Sequence, residues 1–73
     1  MSDPAQVILG MLGKQVIVRL NSNLEYKGSL ISLDGYMNVA LEAAEEYLGS
    51  AFHRKYGDVF IRGNNVLYIS PLQ

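Results

Sequence analysis

Three side chains in this sequence have the chemistry to grip a flat, polar ring: Tyr36, Asn38 and Arg62. Arg62 stands in Ile61-Arg62-Gly63-Asn64-Asn65-Val66, where a cation, a glycine and two amides separate apolar runs. Such a composition makes a tight turn between two buried strands. The turn presents Arg62 and the neighbouring backbone at one shared edge. A guanidinium there is either a solvated surface cation or a planar group stacked on a ring. Tyr36 follows Asp34-Gly35, a second turn signal, which exposes its ring at a strand edge. Asn38 carries an amide that donates and accepts. One loop cannot enclose a ligand, so the Arg62 turn is read as half of a pocket. Its other half must lie elsewhere in the chain.

The chain that must position these groups has 73 residues, 49% of them hydrophobic, with no cysteine. That length suits one domain, 1–73, and is too short for two cores. In so small a domain the gain from apolar burial and the cost of chain ordering are similar in size. Without cysteine there is neither a disulfide nor a thiolate metal site to add stability, so association with other chains is expected. A net charge of −1 and the lack of a Lys/Arg run argue against a duplex-DNA binder. They leave room for single-stranded nucleic acid held by stacking and a few donors. No apolar run approaches the roughly 20 residues of a membrane span, and the N-terminus does not read as a secretory leader. Neither a membrane nor a small-molecule substrate is expected as a partner, and no cofactor.

Ser2-Asp3-Pro4 has the pattern of a helix start, and Val7, Ile8, Met11 and Leu12 form a stripe at helical spacing. The expected helix covers about 4–12, closed by Gly13. From Gln15 the period changes to two, with Val16, Val18 and Leu20 on one face. Asn21-Ser22-Asn23 is a turn cluster, and the strand from Leu24 to Leu33 contains Gly28, the mark of a bend or a close backbone contact. After Asp34-Gly35, the residues Met37, Val39, Leu41 and Ala43 alternate with Asn38, Ala40, Glu42 and Ala44. The segment 40–48, ALEAAEEYL, has strong helix propensity. Its position directly after a hairpin turn nevertheless makes it a strand. A long strand is expected over 51–61, disturbed at Gly57, and a last one from Val66 to Ser70 before Pro71. Five short, strongly bent antiparallel strands make a small all-β barrel or curled sheet.

Two stretches resemble the Sm/Sm-like (LSm) family. Gly28, Asp34-Gly35-Tyr36-Met37-Asn38, Leu41 and Glu42 resemble the first Sm motif (about 14–48), and Ile61 to Val66 the second (about 56–70). Glu45-Glu46-Tyr47 and Tyr56-Gly57-Asp58 resemble the sixth-subunit branch of the LSm proteins more than the Sm F type, in which cysteine is expected at the position of Gly63. The resemblance implies an SH3-like Sm barrel under an N-terminal helix. It also implies a heteroheptameric ring with other LSm subunits, in which the fourth strand of one subunit pairs with the fifth of the next. The implied partner is single-stranded uridine-rich RNA: the 3′ end of U6 snRNA in nuclear splicing, and mRNA 3′ ends in cytoplasmic decay. Carried over, Tyr36 and Arg62 hold one uracil, with Gly63 beside them, while Asn38 meets the O4 and N3–H edge. Asp34 orients Asn38, because a carboxylate repels phosphate. Alternatives are an Sm F-type core subunit and a mainly structural ring subunit with little RNA contact.

Val66, Leu67, Tyr68 and Ile69 form a charge-free strand whose unpaired backbone would invite aggregation. Pairing with a neighbouring subunit removes that hazard, and the isolated chain then has a route to homo-oligomers. The competing reading pairs this strand only within its own barrel. Asn64 either makes the turn or touches an adjacent nucleotide. Glu45 and Glu46 are strand neighbours whose carboxylates diverge, and are expected on a solvated edge or in an intersubunit salt contact. His53, the single histidine, stands beside Arg54 and Lys55 and is expected to be exposed, with weak phosphate attraction as the alternative. Lacking a cluster of titratable groups, the chain does not read as an enzyme. A peptide-binding SH3-like module would want an aromatic groove, whereas the five tyrosines are dispersed in sequence.

Overall fold

The structure, a computed structural model, describes residues 10–72. Gly10 and Met11 have helical backbone; the remainder of the helix expected over 4–9 lies outside the described residues. Six strands follow: β1 (Gln15–Leu20), β2 (Leu24–Leu33), β3 (Val39–Leu48), β4 (Ala51–Lys55), β5 (Val59–Ile61) and β6 (Val66–Pro71). All pairings are antiparallel, in the order β4-β3-β2-β1-β6, with β5 also on β3. The strand expected over 51–61 is divided into β4 and β5 by residues 56–58. Those residues stay attached to β3, because Ala44 N–H donates to Gly57 O and Tyr56 N–H to Ala44 O. The fourth expected strand is therefore one path along the edge of β3, with a break where Gly57 was expected to disturb it. Pro71 ends β6 rather than following it.

Alternation builds the core. Val16 and Val18 are fully buried, joined by Leu20 from β1, Leu30 from β2, Val39, Leu41 and Ala44 from β3, and Ile61 from β5. The period of β3 slips once. Ala43 adopts φ 53° and faces solvent, and Ala44 takes the inward place instead. The alternation read from Met37 through Ala43 thus fails at its last residue, because a left-handed residue inserts an extra step. Downstream of the slip, Glu46 faces inward. β2 bends at Gly28, where the register with β3 shifts. A Cβ on Gly28 would lie 3.0 Å from Glu42 O and 3.1 Å from the Ala44 Cα. The expected close backbone contact is there, and it is what lets the sheet curl.

β6 pairs with β1 along one edge only, and β5 with β3. The curled sheet therefore has two outer edges among the described residues, one on β6 and one along β4 and β5. Val66 to Ile69 pairs within its own sheet, on β1, and its other side has no partner strand among the described residues. Val66 and Ile69 pack on the core, while Leu67 and Tyr68 are exposed.

Candidate nucleic-acid interface

The loop between β2 and β3 runs over 34–38, longer than the two-residue turn that Asp34-Gly35 suggests. Its left-handed residue is Met37, at φ 65°, and not Gly35. The Asp34 carboxylate ties the loop together. Oδ1 accepts the backbone N–H of Tyr36 (2.8 Å) and of Asn38 (3.0 Å). Oδ2 accepts Asn38 Nδ2 (2.9 Å). The Asn38 side chain and backbone donors, with the Tyr36 N–H, hold this carboxyl below its ordinary value against a small opposing desolvation. Asp34 thus orients Asn38. With the loop closed beneath it, Tyr36 is 84% exposed.

The second half of the site is a single 3-10 turn, Gly63–Asn65, entered from Arg62 in extended backbone. Gly63 N–H donates to Asn38 Oδ1 at 2.8 Å. A Cβ at Gly63 would lie 1.7 Å from Tyr36 O and 2.9 Å from Met37 C. The two loops meet backbone to backbone, and only glycine permits that approach. Tyr36, Asn38, Arg62 and Gly63 are consequently brought together. Asp34, Asn38 and Arg62 line one open concavity of ≈ 580 Å³ with Ile31 and Phe60; the Tyr36 ring stands outside its wall. Arg62 is exposed and makes no side-chain hydrogen bond or ion pair to any described residue.

This geometry narrows the role open to Asn38. One lone pair of its carbonyl oxygen is taken by Gly63 and one amide hydrogen by Asp34. One N–H and one lone pair remain for a ligand. Asn64 is exposed, and its carbonyl accepts Nδ2 of Asn21 at 3.2 Å. Met37 and Asn21 were not legible as parts of this site: one looks like a core residue and the other like an ordinary turn residue.

A family model described as the LSM domain matches residues 6–71. The chain belongs to the LSM-domain family. It is 54% identical over 68 residues to the U6 snRNA-associated Sm-like protein LSm6 of Coccidioides immitis, covering 93% of this chain and 85% of that one. The Pyrococcus abyssii Sm protein, solved in complex with a uridine heptamer, superposes with a TM-score of 0.90 at 41% identity. That match covers 97% of this chain and 100% of the other. The Pyrobaculum aerophilum SmAP1 heptamer gives 0.89 at 37% identity, covering 100% and 97%. The expected family, its sixth-subunit branch and the Sm fold are borne out.

Away from the paired loops, this LSM domain carries a polar cluster on β2, β3 and β4. Glu46 is 5% exposed, so the solvated edge expected for it is wrong. The slip at Ala43 turned it inward. Its carboxylate accepts from the Tyr26 hydroxyl, contacts His53 Nδ1 at 2.5 Å and lies 3.9 Å from Arg54 Nε. The Tyr26 bond, then the His53 bond, hold Glu46 below the usual carboxylate range despite its burial. Burial and the same carboxylate push the Tyr26 hydroxyl up. Glu45 points the other way and accepts from Tyr47. His53 is exposed, as expected, but its ring is engaged by Glu46. Tyr26 and Tyr56, distant in sequence, lie with ring centroids 6.3 Å apart. Among the described residues no group of three or more His, Cys, Asp or Glu is arranged to hold a metal.

Proposed function

We propose that this LSM domain is a non-catalytic RNA-binding subunit of a heteroheptameric LSm ring that takes uridine-rich single-stranded RNA. Its place is pre-mRNA splicing, at the 3′ end of U6 snRNA, and mRNA decay, so it works in nucleus and cytoplasm. The observation that carries the reading is the Gly63–Asn38 bond. It joins the two loops so that the Asn38 amide and the Arg62 guanidinium line one concavity, with the exposed Tyr36 beside it. Tyr36 and Arg62 hold a base by stacking, and Asn38 offers its remaining N–H to a base carbonyl. Asn64 stands beside the site for an adjacent nucleotide. The uridine heptamer bound to the archaeal Sm protein and the U6 association of the fungal relative support this assignment. The Sm F-type alternative is not favoured.

The ring follows from the two free edges. The β4–β5 edge of one subunit pairs with β6 of the next, which covers Leu67 and Tyr68 and satisfies exposed backbone groups. The solved archaeal heptamer supports such a ring.

The test is oligouridine binding by the reconstituted ring. Arg62→Ala and Tyr36→Ala should each weaken binding about tenfold, the scale of one lost base-stacking contact, without changing the mass of the ring. Unchanged affinity for both variants in an intact ring would overturn the assigned pocket.

A further inference from the structure

We propose that Asn21, in the turn between β1 and β2, is a positioning residue for the RNA site. It acts by clamping the Arg62–Asn65 turn from the side opposite Asn38. This rests on the RNA reading above. The turn is only one 3-10 repeat long. Its own bonds are Asn65 N–H to Arg62 O, at 3.0 Å, and Val66 N–H to Gly63 O. The carbonyls of Asn64 and Asn65 find no partner within so short a turn. Asn21 meets both. Its backbone N–H donates to Asn65 O at 3.0 Å and its Nδ2 to Asn64 O at 3.2 Å. Asn38 Oδ1 holds Gly63 N–H at the other end. Two asparagines from two different loops therefore grip the three-residue turn from both sides.

An asparagine at a turn usually serves as a residue that tolerates left-handed backbone. That explanation fails for Asn21, because the left-handed residue of this turn is Asn23, at φ 67°. The turn itself is a fixed platform. Asn23 Oδ1 accepts Arg19 Nη2 at 2.5 Å, its carbonyl accepts Gly49 N–H at 3.2 Å, and Leu20 pairs with Val66. Asn21 thus transfers the rigidity of the β1 and β2 ends to the segment carrying Arg62. Losing its side-chain donor leaves the fold intact and lets that segment wander.

The experiment compares Asn21→Ala, Asn21→Asp, Ser22→Asp and Arg62→Ala in reconstituted rings, measuring oligouridine affinity, melting curves and exchange of the Gly63 amide. Asn21→Asp removes the donor at constant shape, and Ser22→Asp adds the same charge one residue on without touching the clamp. We expect both Asn21 variants to bind about three- to tenfold more weakly, the scale of one lost hydrogen bond. Gly63 exchange should be faster, while melting is unchanged and Ser22→Asp binds normally. Loss in Arg62→Ala with wild-type affinity in Asn21→Ala overturns the positioning role and leaves the RNA site standing. Equal losses in Asn21→Asp and Ser22→Asp with none in Asn21→Ala show a charge effect and overturn it too. If Arg62→Ala binds normally, the RNA reading itself fails.

Discussion

Gly63 and Asn38 are 25 residues apart in sequence, and the backbone N–H of one donates to the side-chain oxygen of the other at 2.8 Å. This bond makes a single site out of two loops. It needs the loops to approach until Gly63 lies against the Tyr36–Met37 backbone, so the chemistry of Asn38 and the bareness of Gly63 are one requirement.

Gly63→Ala should therefore be far more damaging than its size suggests. The added methyl meets backbone oxygen and carbon at Tyr36, not a side chain that can swing aside. Overpacking of this kind costs about 1–3 kcal/mol, and here the loops must separate to relieve it. A lowered melting temperature together with lost oligouridine binding is the expected result; a variant with wild-type values for both would refute the contact.

Acid should loosen the first loop only at low pH. Asp34 titrates below its ordinary value because it accepts from Asn38 and Tyr36. A carboxyl with a lowered folded value stabilises above its unfolded value, and that contribution fades as pH falls through the folded one. An NMR titration should show the Asp34 carboxyl titrating below the model-peptide range. Asn38→Ala, which removes the largest cause of the shift, should move it back upward.

Tyr26→Phe should destabilise the β2–β3–β4 region without touching RNA binding. The hydroxyl donates to a carboxylate that is almost wholly buried. A hydrogen bond to a charged group contributes about 1.5–3 kcal/mol. Chemical denaturation should report a loss in that range, and oligouridine affinity measured well below the transition should be unchanged.

Leu67→Lys should separate folding from assembly. Leu67 is 61% exposed, so the single subunit has little packing to lose there. A lysine on an edge strand opposes pairing with another strand. Light scattering should show ring-sized particles for the parent and smaller species for the variant, with matching far-UV circular dichroism. Ring-sized particles from Leu67→Lys would exclude β6 as the joining edge.

Legibility differed from element to element for physical reasons. β1 was readable because Val16, Val18 and Leu20 follow an undisturbed period of two. β3 was readable to Glu42, after which Ala43 adopts left-handed backbone, a conformation nothing in a run of alanines announces. That one step sent Glu46 inward, and its burial depends on Tyr26 and His53, which other strands supply. The loop at 34–38 was located by Asp34-Gly35, but the glycine is not the residue that bends it. Asp34 shapes it through three accepted hydrogen bonds, and Met37 takes the left-handed turn.

By itself, then, the sequence determined the class of fold, the inward faces of the strands up to the slip, and which residues carry ring, amide and guanidinium. Those follow from local periodicity and side-chain chemistry, which are properties of neighbours along the chain. Only the tertiary structure decided that Gly63 abuts Tyr36, that half of the Asn38 amide is already engaged, and that Asn21 reaches the Arg62 turn. Each depends on how far the sheet curls before its ends come close. That curl is set by Gly28, the slip at Ala43 and the shared core, acting together over the whole strand order.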